Sequence, residues 1–261
     1  MLTGERYNLH MIDVGNRLAN YIYVLYCRQT QSTIVFDPTE AQPVLEFLEQ
    51  HDLTLDIICN THHHHDHTNG NAELKAHTDC TIIGSASDAK RIPYIDIGLD
   101  DKQHIKLAAF DCAIMDISGH TQGHIAFYLP EEHLLFSGDT LFSAGCGRMF
   151  EGTAEQFHAS LQRITRLPKD TIICGAHEYT LNNCEFALRY DADNETLKRH
   201  YLCSQALRES GQPTIPTTLE LELKINPFLR TDNTSIRKTL NMLHASDAEV
   251  FGALRRAKDN F

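Results

Sequence analysis

The sequence predicts an α/β fold, a four-layer αββα sandwich followed by a C-terminal helical domain. Three features carry this reading. Short runs rich in β-branched and aromatic residues fill the first two-thirds of the chain. Helical patterns take over from about residue 178. Strand-like segments end on polar turns that carry histidine or aspartate, as two stacked sheets covered by helices would allow.

The strands come early. YNLHMI (7–12), NYIYVLYC (20–27) and STIVFD (32–37) read as the opening strands. A helix over 41–51 is expected to start near Asp37-Pro38-Thr39, with Val44, Leu45, Phe47 and Leu48 facing inward. LDIICN (55–60) is a short apolar run and reads as a buried strand, followed at once by a polar loop. TIIG (81–84), HIKLAAF (104–110), CAIMDIS (112–118), HIAFYLP (124–130), HLLFSG (133–138) and TIICG (171–175) are further strand candidates. A helix over 153–166 takes Thr153 as N-cap and buries Phe157, Leu161 and Ile164. Helices are then expected over 180–190, 194–210 and 233–258. The domain boundary falls near 177, giving segments 1–177 and 178–261.

Composition narrows the partners. The chain has 261 residues, 42% hydrophobic and 22% charged, so an ordinary core forms without covalent staples. Its formal net charge of −12 argues against a nucleic-acid partner and against an anionic membrane surface. The N-terminus has no uninterrupted apolar stretch of signal or membrane type, which implies a soluble cytoplasmic protein. Its eight cysteines are scattered and never form C-x-x-C, so they read as free thiols in a reducing compartment.

The chemistry concentrates in Thr61-His62-His63-His64-His65-Asp66-His67, directly after the buried strand. Read as H-x-H-x-D-H, it offers His62, His64, Asp66 and His67 as metal ligands. In a loop, residues two apart project to one side, so His62 and His64 can grip one ion while Asp66 and His67 face a second. An engineered tag would not sit internally behind an apolar strand. A merely solvated loop would not gather four imidazoles beside carboxylate. Three more candidates end later strands: His120 in SGHTQGH, Asp139 in SGDTLF and His177 in CGAHEYT. Singly, each is an ordinary turn or cap residue. In this order they reinforce one another.

H-x-H-x-D-H, then G-H-T, then G-D-T, then a late histidine resembles the metallo-β-lactamase superfamily. GDTLFSAGCGRMFEGT (138–153), HEYTLNN (177–183) and INPFLR (225–230) resemble its glyoxalase II branch, the hydroxyacylglutathione hydrolases, and specifically bacterial members. The resemblance spans nearly the whole chain. It implies two divalent metal ions, zinc first, with iron or manganese as alternatives. His62, His64 and His120 would hold one, Asp66, His67 and His177 the other, and Asp139 both. It implies a monomer that hydrolyses S-D-lactoylglutathione and related thioesters in methylglyoxal detoxification, with Asp66 and Asp139 at the reacting centre. Substrate contacts carried over are Arg148, Tyr179, Arg255 and Lys258. The departures are Arg148 in place of a lysine, Phe150 in place of a tyrosine, Ala19 in place of an acid, and Ala176 between Gly175 and His177.

Other functions compete. A glutathione persulfide dioxygenase with a single iron resembles the same scaffold, but the second ligand set and the basic C-terminal helix speak against it. A metal-stabilised binding module would favour a closed, cysteine-rich cage. β-Lactam hydrolysis and RNA processing fit poorly with the missing leader and the acidic charge.

Overall fold

Runs of β-branched and aromatic residues over the first forty residues fold as paired strands, and the rest of the chain builds on them. The structure is a computed structural model that describes all 261 residues. It falls into two units, Met1–Asp116 with Gln122–Gly138, and Ile117–Thr121 with Asp139–Phe261.

The first unit holds a seven-stranded sheet in sequence order: β1 (Leu2–Thr3), β2 (Tyr7–Asp13), β3 (Tyr21–Cys27), β4 (Ser32–Phe36), β5 (Leu55–Cys59), β6 (Thr81–Ser85) and β7 (Ile97–Leu99). β1 to β4 pair antiparallel, and β4 to β7 pair parallel. Strand β3 is buried on both faces except at Tyr26. One face, with Ile22, Val24, Val35, Ile58 and Ile82, packs with Val44 and Leu48 of α1 (Gln42–His51) and Leu74 of α3 (Asn71–Thr78). Between these helices lies the short α2 (His65–Thr68).

On its other face this sheet meets an antiparallel meander of β8 (His104–Leu107), β9 (Phe110–Asp116), β10 (Ile125–Leu129) and β11 (Leu134–Gly138). Phe36 stacks on Phe136 with ring centroids 3.5 Å apart and meets Phe127 edge-on at 5.8 Å. Each such fully buried ring contributes about 1.5–3 kcal/mol. Two stacked sheets with helices on the outer face of one are therefore present within this unit.

The second unit contains the hairpin β12 (Leu141–Phe142) and β13 (Gly145–Cys146), the pair β14 (Ile172–Gly175) and β15 (Thr217–Thr218), and six helices. These are α4 (Ala154–Ile164), α5 (Thr180–Tyr190), α6 (Glu195–Glu209), α7 (Leu219–Ile225), α8 (Thr234–Thr239) and α9 (Asp247–Asp259). Phe157, Phe251, Phe228 and Phe186 form a buried aromatic row linking α4, α9 and α5. Thr153 caps α4 as expected, accepting from Gln156 N at 3.2 Å.

Three expectations need correction. The helix over 233–258 is two helices: Asn241 takes a positive φ of 58°, and Ser246 with Glu249 forms a capping box that starts α9 afresh. The strand over 104–110 is broken by Ala108, at φ 53°, into the turn of the β8–β9 hairpin. Helix α1 starts later than Asp37-Pro38-Thr39, at Gln42 after Ala41. Asp37 is used elsewhere.

Candidate metal centre

The sequence-predicted ligands follow strand ends. His62, His64, Asp66 and His67 come after β5, His120 after β9, Asp139 after β11 and His177 after β14. The polar loop expected at 61–67 is partly helical: His64 is the N-cap of α2, and Asp66 and His67 lie in its single turn.

In the first unit His62 and His67 are fully buried. Ligand atoms of His62 and His64 lie within 4.8 Å of each other, as do those of His62 and His67 and those of Asp66 and His67. The ring centroids of His62 and His64 are 4.6 Å apart and those of His62 and His67 4.2 Å. His62 also stacks on His124, at 4.6 Å and 17°.

Surrounding groups fix this set. The carboxylate of Asp37 accepts from Thr61 N and from Thr61 Oγ1, both at 2.7 Å. Its Oδ2 lies 3.1 Å from His67 Nδ1. Asn20 Nδ2 donates to Asp66 Oδ2 at 3.1 Å, and Asn60 Nδ2 donates to the main-chain oxygen of His67 at 2.8 Å. His63, which like His65 is not among the predicted ligands, turns to Asp88, with Nδ1 2.9 Å from Oδ2. These supports were missed in the sequence. Asp37 read as a helix start, and Asn20 as part of a strand.

In the second unit one carboxylate reaches both histidines. Asp139 Oδ1 lies 3.1 Å from His177 Nε2, and Asp139 Oδ2 lies 3.4 Å from His120 Nε2. His120, Asp139 and His177 are all buried. The Nδ1 of His120 contacts the main-chain oxygen of Arg148 at 2.7 Å. Both sets consist of imidazole and carboxylate with carboxylate or carbonyl partners behind them, a donor chemistry that suits a divalent cation.

The candidate substrate contacts also lie in the second unit. The Tyr179 ring stacks on His177 at 4.7 Å and 4°. Asp259 Oδ1 lies 3.4 Å from Arg148 Nε and 3.0 Å from Arg255 Nη2, and so draws those two cations together. Arg148 is exposed, whereas Arg255 is buried, with Nη1 donating to Cys146 O at 2.8 Å and to Gly147 O at 3.2 Å. Lys258 Nζ donates to Asn182 O at 3.1 Å. Burial, helped by the adjacent Arg255, pushes the Lys258 ammonium down to about 8. Phe150 is exposed and meets the His120 ring edge-on at 5.3 Å. No helix is long and apolar enough to cross a membrane.

Comparison with known proteins agrees over nearly the whole chain. The metallo-beta-lactamase superfamily matches residues 15–177, and the hydroxyacylglutathione hydrolase C-terminus matches residues 178–261. The hydroxyacylglutathione hydrolase of Rhodospirillum rubrum is 46% identical over 97% of this chain and 98% of its own. That of Methylococcus capsulatus is 44% identical over 93% of this chain and 94% of its own. Among solved structures, ETHE1 from Myxococcus xanthus shares the fold, with a TM-score of 0.66 and 21% identity over 96% of this chain and 97% of that one. The expected α/β sandwich with a helical C-terminal region is therefore the metallo-β-lactamase fold, and the chain belongs to the hydroxyacylglutathione hydrolase family.

Proposed function

We propose that this protein is a metal-dependent thioester hydrolase that cleaves S-D-lactoylglutathione and related S-2-hydroxyacylglutathiones to glutathione and the hydroxy acid. The observation that carries the reading is the position of Asp139, one oxygen 3.1 Å from His177 and the other 3.4 Å from His120. A carboxylate turned to two imidazoles in this way is suited to shared ligation. In the proposal His62, His64 and His120 would hold one divalent cation, Asp66, His67 and His177 would hold a second, and Asp139 would serve both. Zinc is the first choice, with iron or manganese accepted by the same donors. When bound, such a pair supplies Lewis acidity and makes water nucleophilic near neutral pH.

The chain's own residues set the conditions for that chemistry. Asn20 holds the Asp66 carboxylate at one oxygen, and Asp37 stands behind His67. Arg148, Lys258 and the buried Arg255, whose guanidinium is held by Cys146 O, Gly147 O and Asp259, are the candidate cations for the two carboxylates of glutathione on an otherwise acidic protein. Tyr179 completes the substrate contacts. The leaving thiol has an ordinary pKa of about 8.5, so it departs as thiolate without a dedicated general acid. Residues 1–177 then carry the catalytic ligands and residues 178–261 the C-terminal substrate contacts. The reading takes the enzyme as a monomer, and free cysteines throughout suit a cytoplasmic location. The names of the relatives do not favour the single-iron dioxygenase reading.

The test is hydrolysis of S-D-lactoylglutathione by purified protein, with and without a chelator, alongside elemental analysis. Chelator-sensitive release of glutathione supports the proposal. Oxygen uptake with a persulfide and no thioester cleavage replaces it with the dioxygenase.

A further inference from the structure

Several side chains from the C-terminal helices converge on the six residues between Leu141 and Arg148. Asn226 Nδ2 donates to Phe142 O at 3.2 Å and to Gly145 O at 2.9 Å. Asn183 Nδ2 donates to Ser143 O at 3.0 Å. Arg255 Nη1 reaches Cys146 O and Gly147 O. Glu222 Oε2 accepts from Ala144 N at 2.8 Å and from Asn226 Nδ2 at 3.0 Å, while its Oε1 accepts from Thr217 Oγ1 at 2.9 Å. Glu222 and Asn226 are both fully buried.

This hairpin has little to hold it by itself. Its strands are two residues each, and Ala144 sits at φ 55°, a strained region for a residue with a side chain. An isolated hairpin of that length is unstable in water. Its shape is therefore imposed from outside. The Glu222 carboxylate accepts from the main-chain N–H of Ala144, the residue at positive φ. It also accepts from Asn226 Nδ2, whose two hydrogens are shared among Phe142 O, Gly145 O and Glu222 Oε2, so the NH2 end of that amide is the one facing the hairpin. Burying a carboxylate with no cation beside it is costly, and hydrophobic packing alone would have been served by a leucine.

What the hairpin delivers explains the arrangement. It runs directly into Arg148, whose carbonyl contacts His120 Nδ1 at 2.7 Å. Gly147 is pressed against Asp139: a Cβ there would lie 1.8 Å from Asp139 O and 3.0 Å from His120 Nδ1. A shift of the hairpin moves the group that orients His120, the backbone beside Asp139 and the root of the Arg148 side chain together.

We propose that Glu222 and Asn226 are positioning residues for the hydrolytic centre, acting through the 142–147 hairpin on His120 and Arg148. This rests on the reading above of His120 as a metal ligand and Arg148 as a substrate contact. The C-terminal helices then serve the metal ligands as well as the thiol carrier, although neither residue touches metal or substrate.

The test compares wild type with Asn226→Ala, Glu222→Leu and the conservative Glu222→Gln. Folding is followed by circular dichroism, zinc affinity by competition with a chromophoric chelator, and KM and kcat on S-D-lactoylglutathione. Asn226→Ala and Glu222→Leu are expected to weaken zinc binding about 10-fold or more in folded protein and to raise KM. Glu222→Gln, which keeps the shape and the acceptor, is expected to recover most of both. Where the harsher variants do not fold, Asn226→Ser carries the test, with the same directions and smaller size. Folded variants with lower melting temperature but unchanged zinc affinity and KM would show a purely structural role and overturn the proposal. Wild type that cleaves no thioester, with variants that still bind zinc more weakly than it does, would sink the functional reading and leave the positioning role standing.

Discussion

His120 Nδ1 lies 2.7 Å from the main-chain oxygen of Arg148. With its hydrogen on Nδ1, the ring donates to that carbonyl and presents Nε2 to Asp139, 3.4 Å from Oδ2. A ligating histidine ordinarily gives its second nitrogen to such a partner, which fixes tautomer and orientation together. The relationship ties a candidate metal ligand to a candidate substrate residue through the main chain, so changes near either one are felt at both.

Gly147 makes that tie possible. Any side chain there collides with Asp139 O, 1.8 Å from the position of a Cβ. Gly147→Ala is expected to cost about 1–3 kcal/mol or more through forced backbone shifts. It should also weaken metal binding. Thermal unfolding and metal content check both, and an unaltered melting temperature would contradict the close packing.

Asp37 plays the corresponding part behind His67. Its carboxylate satisfies Thr61 N and Thr61 Oγ1 and lies 3.1 Å from His67 Nδ1. Asp37→Ala is expected to lower zinc affinity about 10- to 100-fold, as loss of a group behind a ligand usually does. Chelator competition reads this directly. Affinity equal to wild type would remove Asp37 from the support of His67.

Lys258 gives a pH signature. Burial lowers its ammonium to about 8, so it is charged at neutral pH and loses that charge as pH rises through 8. KM for the anionic substrate is therefore expected to rise above pH 8. Lys258→Ala should show a higher KM that no longer changes in that window. A wild-type KM flat from pH 7 to 9 would mean that this charge does not serve binding.

Glu222 gives a stability signature of the other sign from most acids. Burial raises its carboxyl from the ordinary 4.5 to about 7 in the folded chain. Below 4.5 both folded and unfolded states hold the proton. Between 4.5 and 7 the unfolded state ionises first, so the stabilising contribution is lost as pH rises. The melting temperature of wild type is expected to fall relative to Glu222→Gln from pH 5 to pH 8. A constant difference across that range would contradict the raised carboxyl.

Much of this was legible in the chain because it depends on local pattern. Runs such as Tyr21–Cys27 and Leu55–Cys59 announce buried strands by composition alone. The H-x-H-x-D-H spacing needs no tertiary information to suggest a metal. The misreadings came where a small local signal divides a long pattern. Ser246 and Glu249 spell a capping box inside a stretch read as one helix, and Ala108 takes a left-handed turn that its residue type does not advertise. The supports of the site were hidden for a different reason. Asp37, Glu222 and Asn226 look like ordinary cap or surface residues until the fold buries them against partners far away in sequence. For Asn226, those partners are 84 and 81 residues distant.

The most direct measurement is a zinc titration of metal-stripped chain, wild type beside Asp139→Ala, with S-D-lactoylglutathione hydrolysis recorded at each addition. The expected result is uptake of two ions per wild-type chain with activity rising in step, and in Asp139→Ala a loss of both tight binding and hydrolysis. Asp139→Ala that binds zinc as tightly as wild type and hydrolyses the thioester at the full rate would contradict a carboxylate shared between two cations.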